Sequence, residues 1–204
     1  MDNAIKVMDK LKNEWKGDTR AFIKYFDVEE HYSRKNTVYD WLDIPKNSNC
    51  LDISAGFGYF SYICQSNGHT VVLTDVIDDI MSLSIEARKR LGLPDATHFA
   101  YCQEHITLNT KAKKHHSVYK DLPEFYEPFD LITAFASVPM SYFSVENWEK
   151  FVVNALEQIK YNGMLYIEPN SGVGKDNLFS MVEHYKHKMR TDRGVLITKE
   201  SRNG

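Results

Sequence analysis

The sequence predicts an α/β fold: a doubly wound, mostly parallel sheet of about six or seven strands with helices on both faces and an N-terminal helical segment. From residue 50 onward, short apolar runs alternate with longer runs of helical periodicity, which is typical of βα units. The chain has 204 residues, 43% of them hydrophobic, and no internal repeat, so one core can bury most of its apolar surface. We therefore expect a single domain over residues 1–204, with a helical cover at 1–45 and the core at 46–204.

The first 45 residues show helical periodicity in three stretches. Gly17 ends the first stretch, Asp18 and Thr19 can cap the second, and the third ends before Pro45. Their apolar residues are Ala4, Met8, Leu11 and Trp15, then Phe22, Tyr25 and Phe26, then Val38, Trp41 and Leu42. The aromatic side chains either pack over the core or form a lid above a bound ligand, and the sequence leaves both interpretations open.

Six strands are predicted after this segment, with amphipathic helices between them. The strands are residues 50–53, 70–75, 97–102, 129–135, 164–168 and 195–198. The helices are indicated by apolar residues at helical spacing: Tyr59, Phe60, Ile63 and Cys64; Ile80, Met81, Ile85 and Leu91; Trp148, Val152, Ala155 and Ile159 after a Ser144 cap; and Leu178, Val182, Tyr185 and Met189. Ligands of such sheets bind outside the carboxyl ends of the strands, so the residues at those ends form the candidate site.

Composition and charge disfavour several classes of protein. Lys and Arg number 25 and Asp and Glu 28, which gives a formal net charge of -3 and no basic field for general nucleic-acid binding. No run of 18 apolar residues occurs, and the N-terminus lacks a basic region followed by an apolar run. Cys50, Cys64 and Cys102 are widely spaced and are expected to be buried, reduced thiols. We expect a cytoplasmic protein without a membrane segment, and the sequence makes no prediction of oligomeric state.

The turn after the first strand carries the motif Leu-Asp-Ile-Ser-Ala-Gly-Phe-Gly-Tyr-Phe at residues 51–60. Gly56 and Gly58 allow the backbone to approach a ligand, and the following helix directs its first N–H groups to the same place. Asp75 ends the second strand, 19 residues after Gly56, a distance typical of a carboxylate that accepts hydrogen bonds from an adenosine ribose. We expect this carboxylate to be exposed at the ligand edge of the sheet.

Two classes of cofactor fit this layout, dinucleotides and S-adenosylmethionine. A dinucleotide would place its pyrophosphate on a turn that Asp52 makes negative, and Ser61 occupies the third position of the motif G-x-G-x-x-G. S-adenosylmethionine presents an ammonium and a sulfonium, which a carboxylate attracts. The charge therefore favours S-adenosylmethionine, and an NAD-dependent oxidoreductase stays as an alternative.

The chain resembles the class I, Rossmann-like S-adenosylmethionine-dependent methyltransferases over about residues 45–170. The likeness rests on the motif at 51–58, on Asp75, on Phe-Asp-Leu-Ile at 129–132 and on the turn at 159–165. The segment 121–123 and Trp148 are most similar to the type 11 and type 12 small-molecule group. The resemblance implies methyl transfer to an oxygen or nitrogen of a small molecule, such as a sugar or another biosynthetic intermediate.

Two departures from the family pattern motivate an alternative. Ser54 stands where the family usually has its first glycine, and only residues 169–204 follow the fifth strand. A non-catalytic S-adenosylmethionine-binding partner subunit is therefore the second interpretation.

The resemblance also implies the cofactor pocket. Its members would be Asp52, Ser54, Ala55, Gly56, Phe57 and Gly58 at the turn, Asp75 on the ribose, Val76, Ile77, Phe135 and Ala136 near the adenine, and Gln103, Glu104 and His105 at the adenine edge. No metal is predicted, and the catalytic residues stay unassigned, with His105 or Glu168 as candidates for a base. A basic cluster at 111–116 is interpreted as a solvated loop or as an attractor of an anionic substrate.

Overall fold

The computed structural model describes residues 2–15, 27–75, 78–94, 96–100, 127–135, 139–169, 172–186 and 188–200. Within these ranges the chain forms one seven-stranded sheet. The strands are β1 (Asn49–Ile53), β2 (Thr70–Asp75), β3 (Thr97–Ala100), β4 (Phe129–Phe135), β5 (Ile159–Glu168), β6 (Lys188–Arg190) and β7 (Val195–Thr198). Their order is β3-β2-β1-β4-β5-β7-β6, where β1 to β5 are parallel and the last two are antiparallel to their neighbours.

The described ranges also contain six α-helices and a short 3₁₀ helix at Pro139–Tyr142. The α-helices are α1 (Asp2–Glu14), α2 (Val28–Leu42), α3 (Tyr59–Ser66), α4 (Asp78–Arg90), α5 (Val145–Glu157) and α6 (Val173–Val182). Ser144 caps α5 as the sequence predicts, because its side chain accepts the N–H of Asn147. None of these helices is both long and apolar enough to span a membrane.

Helices cover both faces of the sheet. On one face α5 and α6 pack over inward side chains of β1, β4, β5 and β7, around the fully buried Trp148. Phe60 of α3 and Leu42 of α2 pack on the opposite face. Met8 of α1 and Leu83 of α4 extend that layer by packing with residues of α3. The doubly wound, mostly parallel α/β fold predicted from the sequence is thus confirmed.

Several predicted boundaries are correct and others are wrong. β2, β4 and β7 have the predicted bounds, because each is an apolar run flanked by polar residues. Ile159 was assigned to the helix before it but begins β5, where it pairs with Phe129. Met189 lies in β6, a strand that the sequence analysis missed, because α6 ends at Val182. The expected short third helix is the end of a longer α2.

The order of the strands defines a crevice. β1 lies between β2 on one side and β4 on the other, so the direction in which the chain winds reverses at β1. In open α/β sheets, ligands bind at this reversal, outside the carboxyl ends of the strands. The turn after β1, the end of β2 and the end of β4 therefore surround the candidate site.

Candidate functional site

The turn between β1 and α3 alternates residues in the left-handed region: Ser54 has φ 52°, Gly56 φ 57° and Gly58 φ 77°. The two glycines serve different purposes. A Cβ at Gly56 would meet no atom of the described residues within 4 Å, whereas one at Gly58 would lie 2.9 Å from Ser84 Oγ. Gly58 is thus needed for packing against α4, while the described part of the chain leaves room beside the Gly56 Cα. Ser54 adopts this conformation with a side chain, at a cost of roughly 1 to 3 kcal/mol.

Asp75 holds this turn in place. The main-chain N–H of Gly56 donates to Asp75 Oδ2 at 2.8 Å, and Asp75 is only 7% exposed. The expectation of an exposed carboxylate is therefore wrong: the acid at the end of β2 is buried because it binds the turn. A ribose at this edge would share the carboxylate with Gly56.

Asp52 lies beneath the turn. Ser61 Oγ donates to Asp52 Oδ2 at 2.6 Å, and Thr133 Oγ1 donates to Oδ1 at 2.9 Å. Burial raises the pKa of the Asp52 carboxyl, while these hydrogen bonds and the charges of Lys35 and Arg88 oppose the increase. Ser61, the residue that breaks the dinucleotide motif, thus has a structural role here.

Two further residues of the predicted pocket contribute differently. The side chain of Phe57 is buried, with its ring 5.4 Å from that of Tyr59 and 6.4 Å from that of Tyr62. Phe57 therefore packs in the core and leaves its main chain for a ligand. Ala55 fixes the turn, since its N–H donates to Thr74 O at 2.9 Å.

Phe135 ends β4 and lies under α2. Its ring packs against Phe60 at 5.1 Å and Tyr166 at 5.5 Å, and Lys35 Nζ sits 3.1 Å from its centroid. Lys35 is 6% exposed, and its Nζ has no hydrogen-bond partner within the described ranges. Burial lowers the pKa of Lys35 to about 7, although the charges of Glu168 and Asp52 favour the ammonium form.

Glu168, proposed from the sequence as a base, is part of an ion pair. Arg34 contacts Glu168 Oε1 at 3.2 Å, and Tyr166 Oη donates to Oε2 at 3.5 Å. Glu168 is 4% exposed, so this pair is largely shielded from water. Both carboxylate oxygens of Glu168 therefore have partners within the described ranges, and its role as a base stays a prediction.

A groove of about 260 Å³ opens beside Glu168, between α2 and the turn that joins β6 to β7. Trp41 of α2 and Tyr166 of β5 form one wall, with the two rings in edge contact at 5.9 Å. The lining residues are Thr37, Val38, Trp41, Tyr166, Glu168, Thr191, Asp192 and Arg193. Trp41, whose helix was predicted to pack or to form a lid, thus borders a cavity.

Some predicted site residues lie outside the described ranges: Val76, Ile77, Gln103, Glu104, His105, Ala136, the cluster at 111–116, and Cys102. Phe22, Tyr25 and Phe26 do so as well. Cys50 and Cys64 are free and buried. The described part of the chain contains no group of three or more His, Cys, Asp or Glu side chains able to hold a metal.

Four residues near the candidate site were not predicted from the sequence: Lys35, Arg34, Thr133 and Arg193. A signal for Lys35 exists: it falls on the buried stripe of α2 formed by Val28, Tyr32 and Leu42, at the spacing of apolar residues. The other three have no comparable signal, because only the fold brings them to the site.

The same arrangement of strands and helices occurs in solved methyltransferases. An rRNA methylase from Streptococcus thermophilus matches with TM-score 0.59 at 14% identity, covering 81% of this chain and 95% of that one. A ribosomal protein L11 methylase from Lactobacillus delbrueckii subsp. bulgaricus matches with TM-score 0.56 at 15% identity, covering 84% and 80%. Magnesium protoporphyrin IX methyltransferase from Synechocystis, solved with bound S-adenosylmethionine, matches with TM-score 0.59 at 12% identity, covering 91% and 87%.

No protein-family model matches the chain, and no curated protein does. The similar solved structures show that the fold is that of the Rossmann-like, S-adenosylmethionine-dependent methyltransferases. At these identities the similarity establishes the fold alone, and the similar structures act on acceptors as different as rRNA, a protein and a porphyrin.

Proposed function

We propose that this protein is an S-adenosylmethionine-dependent methyltransferase that acts on an oxygen or nitrogen of a small molecule. The observation that carries the proposal is the turn after β1 at the sheet reversal, where the Gly56 N–H is held by Asp75 and no atom of the described residues lies within 4 Å of a Cβ placed on Gly56. Carboxylates near the ends of β1 and β2 suit a cationic cofactor, and Asp52 and Asp75 lie there beside the turn.

Each residue then has a role toward the cofactor. The main chain at Ser54 to Gly58 would hold the methionine part, Asp75 would accept a ribose hydroxyl, and Phe135 would border the pocket. Val76, Ile77, Glu104, His105 and Ala136 remain predicted adenine contacts. S-adenosylmethionine supplies a methyl group on a positively charged sulfur, which is already activated for transfer. The main work of the chain is alignment of the acceptor and exclusion of water.

The groove beside α2 is the proposed acceptor site. It adjoins the end of β5, and its wall of Trp41 and Tyr166 suits a ring or another flat apolar group. The carboxylates of Glu168 and Asp192 at this groove are balanced by Arg193 and by Arg34, which pairs with Glu168, so the groove has no excess positive charge for a phosphate backbone. A small-molecule acceptor is therefore favoured over RNA, and a sugar or a biosynthetic intermediate is the expected type.

Two narrower assignments belong to this proposal. The likeness to the type 11 and type 12 group rests on the segment 121–123 and on Trp148. A cytoplasmic location is supported by Cys50 and Cys64, which are free thiols in the core.

Titration calorimetry with S-adenosylhomocysteine and, separately, with NAD tests the cofactor. Wild type should bind S-adenosylhomocysteine and not NAD. Gly56→Ala should weaken that binding more than tenfold, because the added methyl group enters ligand space. Gly68→Ala is the control, since Gly68 also has positive φ, 86°, and no atom of the described residues within 4 Å of an added Cβ, but it is exposed and lies at the opposite end of β2. NAD binding, or equal losses in both variants, would contradict the cofactor assignment.

Release of S-adenosylhomocysteine across a panel of alcohols, phenols, amines and rRNA fragments tests the activity. Turnover with a small molecule supports the proposal. Turnover with RNA alone would overturn the acceptor assignment and leave the cofactor assignment standing. Cofactor binding without turnover on any acceptor would favour the non-catalytic partner subunit.

A further inference from the structure

Lys35 has an unusual environment. It occupies the buried stripe of α2, between Tyr32 and Leu42, where an apolar residue is the rule. Its Nζ lies 3.1 Å from the centroid of the Phe135 ring and has no hydrogen-bond partner among the described residues. A buried amine without a partner is costly, so its retention at this place calls for a functional explanation.

The charges around Lys35 come from four elements. Glu168 of β5 and Asp52 of β1 attract an ammonium, while Arg34 of α2 and Arg193 of the β6–β7 turn repel one. Both carboxylates have other partners: Arg34 contacts Glu168, and Ser61 donates to Asp52. Neither therefore fixes the Lys35 ammonium in an ion pair. Burial outweighs their attraction and lowers the pKa of the amine to about 7, so both protonation states exist near neutral pH.

The position of Lys35 links the two halves of the proposed site. Ile53 pairs with Ala134, so Phe135 follows directly beside the turn that begins at Ser54. The Phe135 ring also contacts Tyr166, which lines the groove. Lys35 Nζ thus lies over a residue whose backbone adjoins the cofactor turn and whose ring contacts a wall of the acceptor groove.

We propose that Lys35 is the proton acceptor of the methyl transfer, and that a bound cationic cofactor favours its neutral, proton-accepting form. This inference rests on the proposed function. The lone pair of the Lys35 amine takes the proton of the acceptor's O–H or N–H as the acceptor atom forms its bond to the methyl carbon. The electron pair of the methyl–sulfur bond stays on sulfur, which becomes neutral, and Lys35 becomes an ammonium that later loses its proton to water.

We expect S-adenosylmethionine and S-adenosylhomocysteine, which differ in one methyl group and one charge, to release different numbers of protons when they bind. A sulfonium at this edge repels the Lys35 ammonium, so binding of S-adenosylmethionine should expel its proton. S-adenosylhomocysteine has no sulfonium and should expel little or none. At pH 7 the expected release is up to about half a proton, since a group whose pKa is about 7 is half protonated there.

Calorimetry of both ligands in phosphate and in Tris buffer at pH 7 measures this release. Wild type should release more protons with S-adenosylmethionine than with S-adenosylhomocysteine, and Lys35→Met should abolish the difference. Lys150→Met is the control, because Lys150 is an exposed lysine of α5 paired only locally with Glu146. Lys35→Arg keeps its charge at every accessible pH, so it should bind S-adenosylmethionine at least tenfold less tightly relative to S-adenosylhomocysteine.

An NMR titration of the wild-type protein tests the inference without a variant, so it does not depend on whether the variants fold. With ¹³C-labelled lysine, one side-chain resonance should titrate near pH 7, and S-adenosylmethionine but not S-adenosylhomocysteine should move its midpoint downward. The absence of such a resonance, or equal proton release by both ligands, would overturn the inference about Lys35 while leaving the proposed function intact. Failure of either ligand to bind would instead overturn the proposed function.

The catalytic step is tested with the first acceptor that supports turnover. In wild type with S-adenosylmethionine bound, kcat should rise with pH and level off below pH 7, because the cofactor moves the midpoint of the amine downward and only the neutral amine accepts a proton. Lys35→Met should lower kcat by about 10² to 10⁴ and remove this dependence, with little change in the affinity for S-adenosylhomocysteine. An unchanged kcat in Lys35→Met would overturn the assignment.

Discussion

The main-chain N–H of Gly56 donates a 2.8 Å hydrogen bond to Oδ2 of Asp75, which ties the turn after β1 to the end of β2. One carboxylate thus fixes the shape of this turn and, under the proposed function, would also accept a ribose hydroxyl. Under that proposal, the shape of the site and the affinity for the cofactor would be coupled at Asp75.

This coupling predicts that Asp75→Ala affects the protein even without a cofactor. Loss of the acceptor leaves the buried Gly56 N–H unpaired, so the free energy of unfolding should fall by about 1 to 3 kcal/mol in a urea titration. Binding of S-adenosylhomocysteine should weaken more than tenfold. Asp75→Asn keeps an acceptor oxygen and should recover most of the stability. If Asp75→Ala were as stable as wild type, the hydrogen bond between Gly56 and Asp75 would contribute nothing to the free energy of unfolding.

Ser61 gives a second prediction about stability. Its hydroxyl is fully buried and donates at 2.6 Å to the Asp52 carboxylate. Ser61→Ala should therefore lower the free energy of unfolding by about 1.5 to 3 kcal/mol, the range for hydrogen bonds to charged groups. Thr37→Ala is the control, since Thr37 Oγ1 bonds only the exposed Ser33 carbonyl of its own helix. Equal losses in the two variants would show that the hydrogen bond to the Asp52 carboxylate stabilises the protein no more than one to an exposed carbonyl.

The buried amine of Lys35 predicts a dependence of stability on pH. Its pKa is about 7 in the folded protein against an ordinary value of 10.5, so unfolding takes up a proton between these values and wild-type stability rises with pH. Lys35→Met lacks this contribution. The variant should exceed wild type by about 1 to 4 kcal/mol at pH 6, and the advantage should shrink towards pH 10. A constant difference over this range would contradict the lowered pKa.

The Arg34–Glu168 ion pair should be strongly coupled, because Glu168 has only 6% of its side chain exposed. Arg34→Met alone should cost about 3 to 5 kcal/mol, while the double variant with Glu168→Gln should cost much less. The exposed pair Lys160–Asp130, with 44% and 27% exposure, is the comparison and should show a coupling of about 1 kcal/mol or less. A double-mutant cycle for each pair in urea measures both values.

The fold was predictable because its strands are apolar runs in a chain of βα units. The errors have local causes. Residues 160–163, Lys-Tyr-Asn-Gly, resemble a turn, and they form an irregularity within β5: the pairing with β4 shifts register there and Asn162 has φ 64°, while the Asn162 N–H donates to Lys199 O at 2.7 Å. Met189 continues the apolar spacing of α6 beyond its end, although the chain there forms β6.

The site was predictable only where its residues are close in the chain. The glycine turn and Asp75 form a motif of fixed spacing, and both lie where that spacing implies. Arg193 and Lys35 are far apart in sequence and meet near Glu168 only through packing of α2 and the β6–β7 turn. The burial of Asp75 was missed because spacing gives the position of a carboxylate and not its hydrogen-bond donors.

The two strands at the end of the sheet have an evolutionary consequence. The turn that joins β6 and β7 supplies Thr191, Asp192 and Arg193 to the groove, whereas the glycine turn follows β1 and Asp75 ends β2, farther along the strand order. A hairpin at the edge of a sheet can change in length and sequence while the strands that carry the glycine turn and Asp75 stay intact. Under the proposed function, descendants of this protein could acquire new acceptors by replacing that hairpin, without re-evolving how they hold the methyl donor.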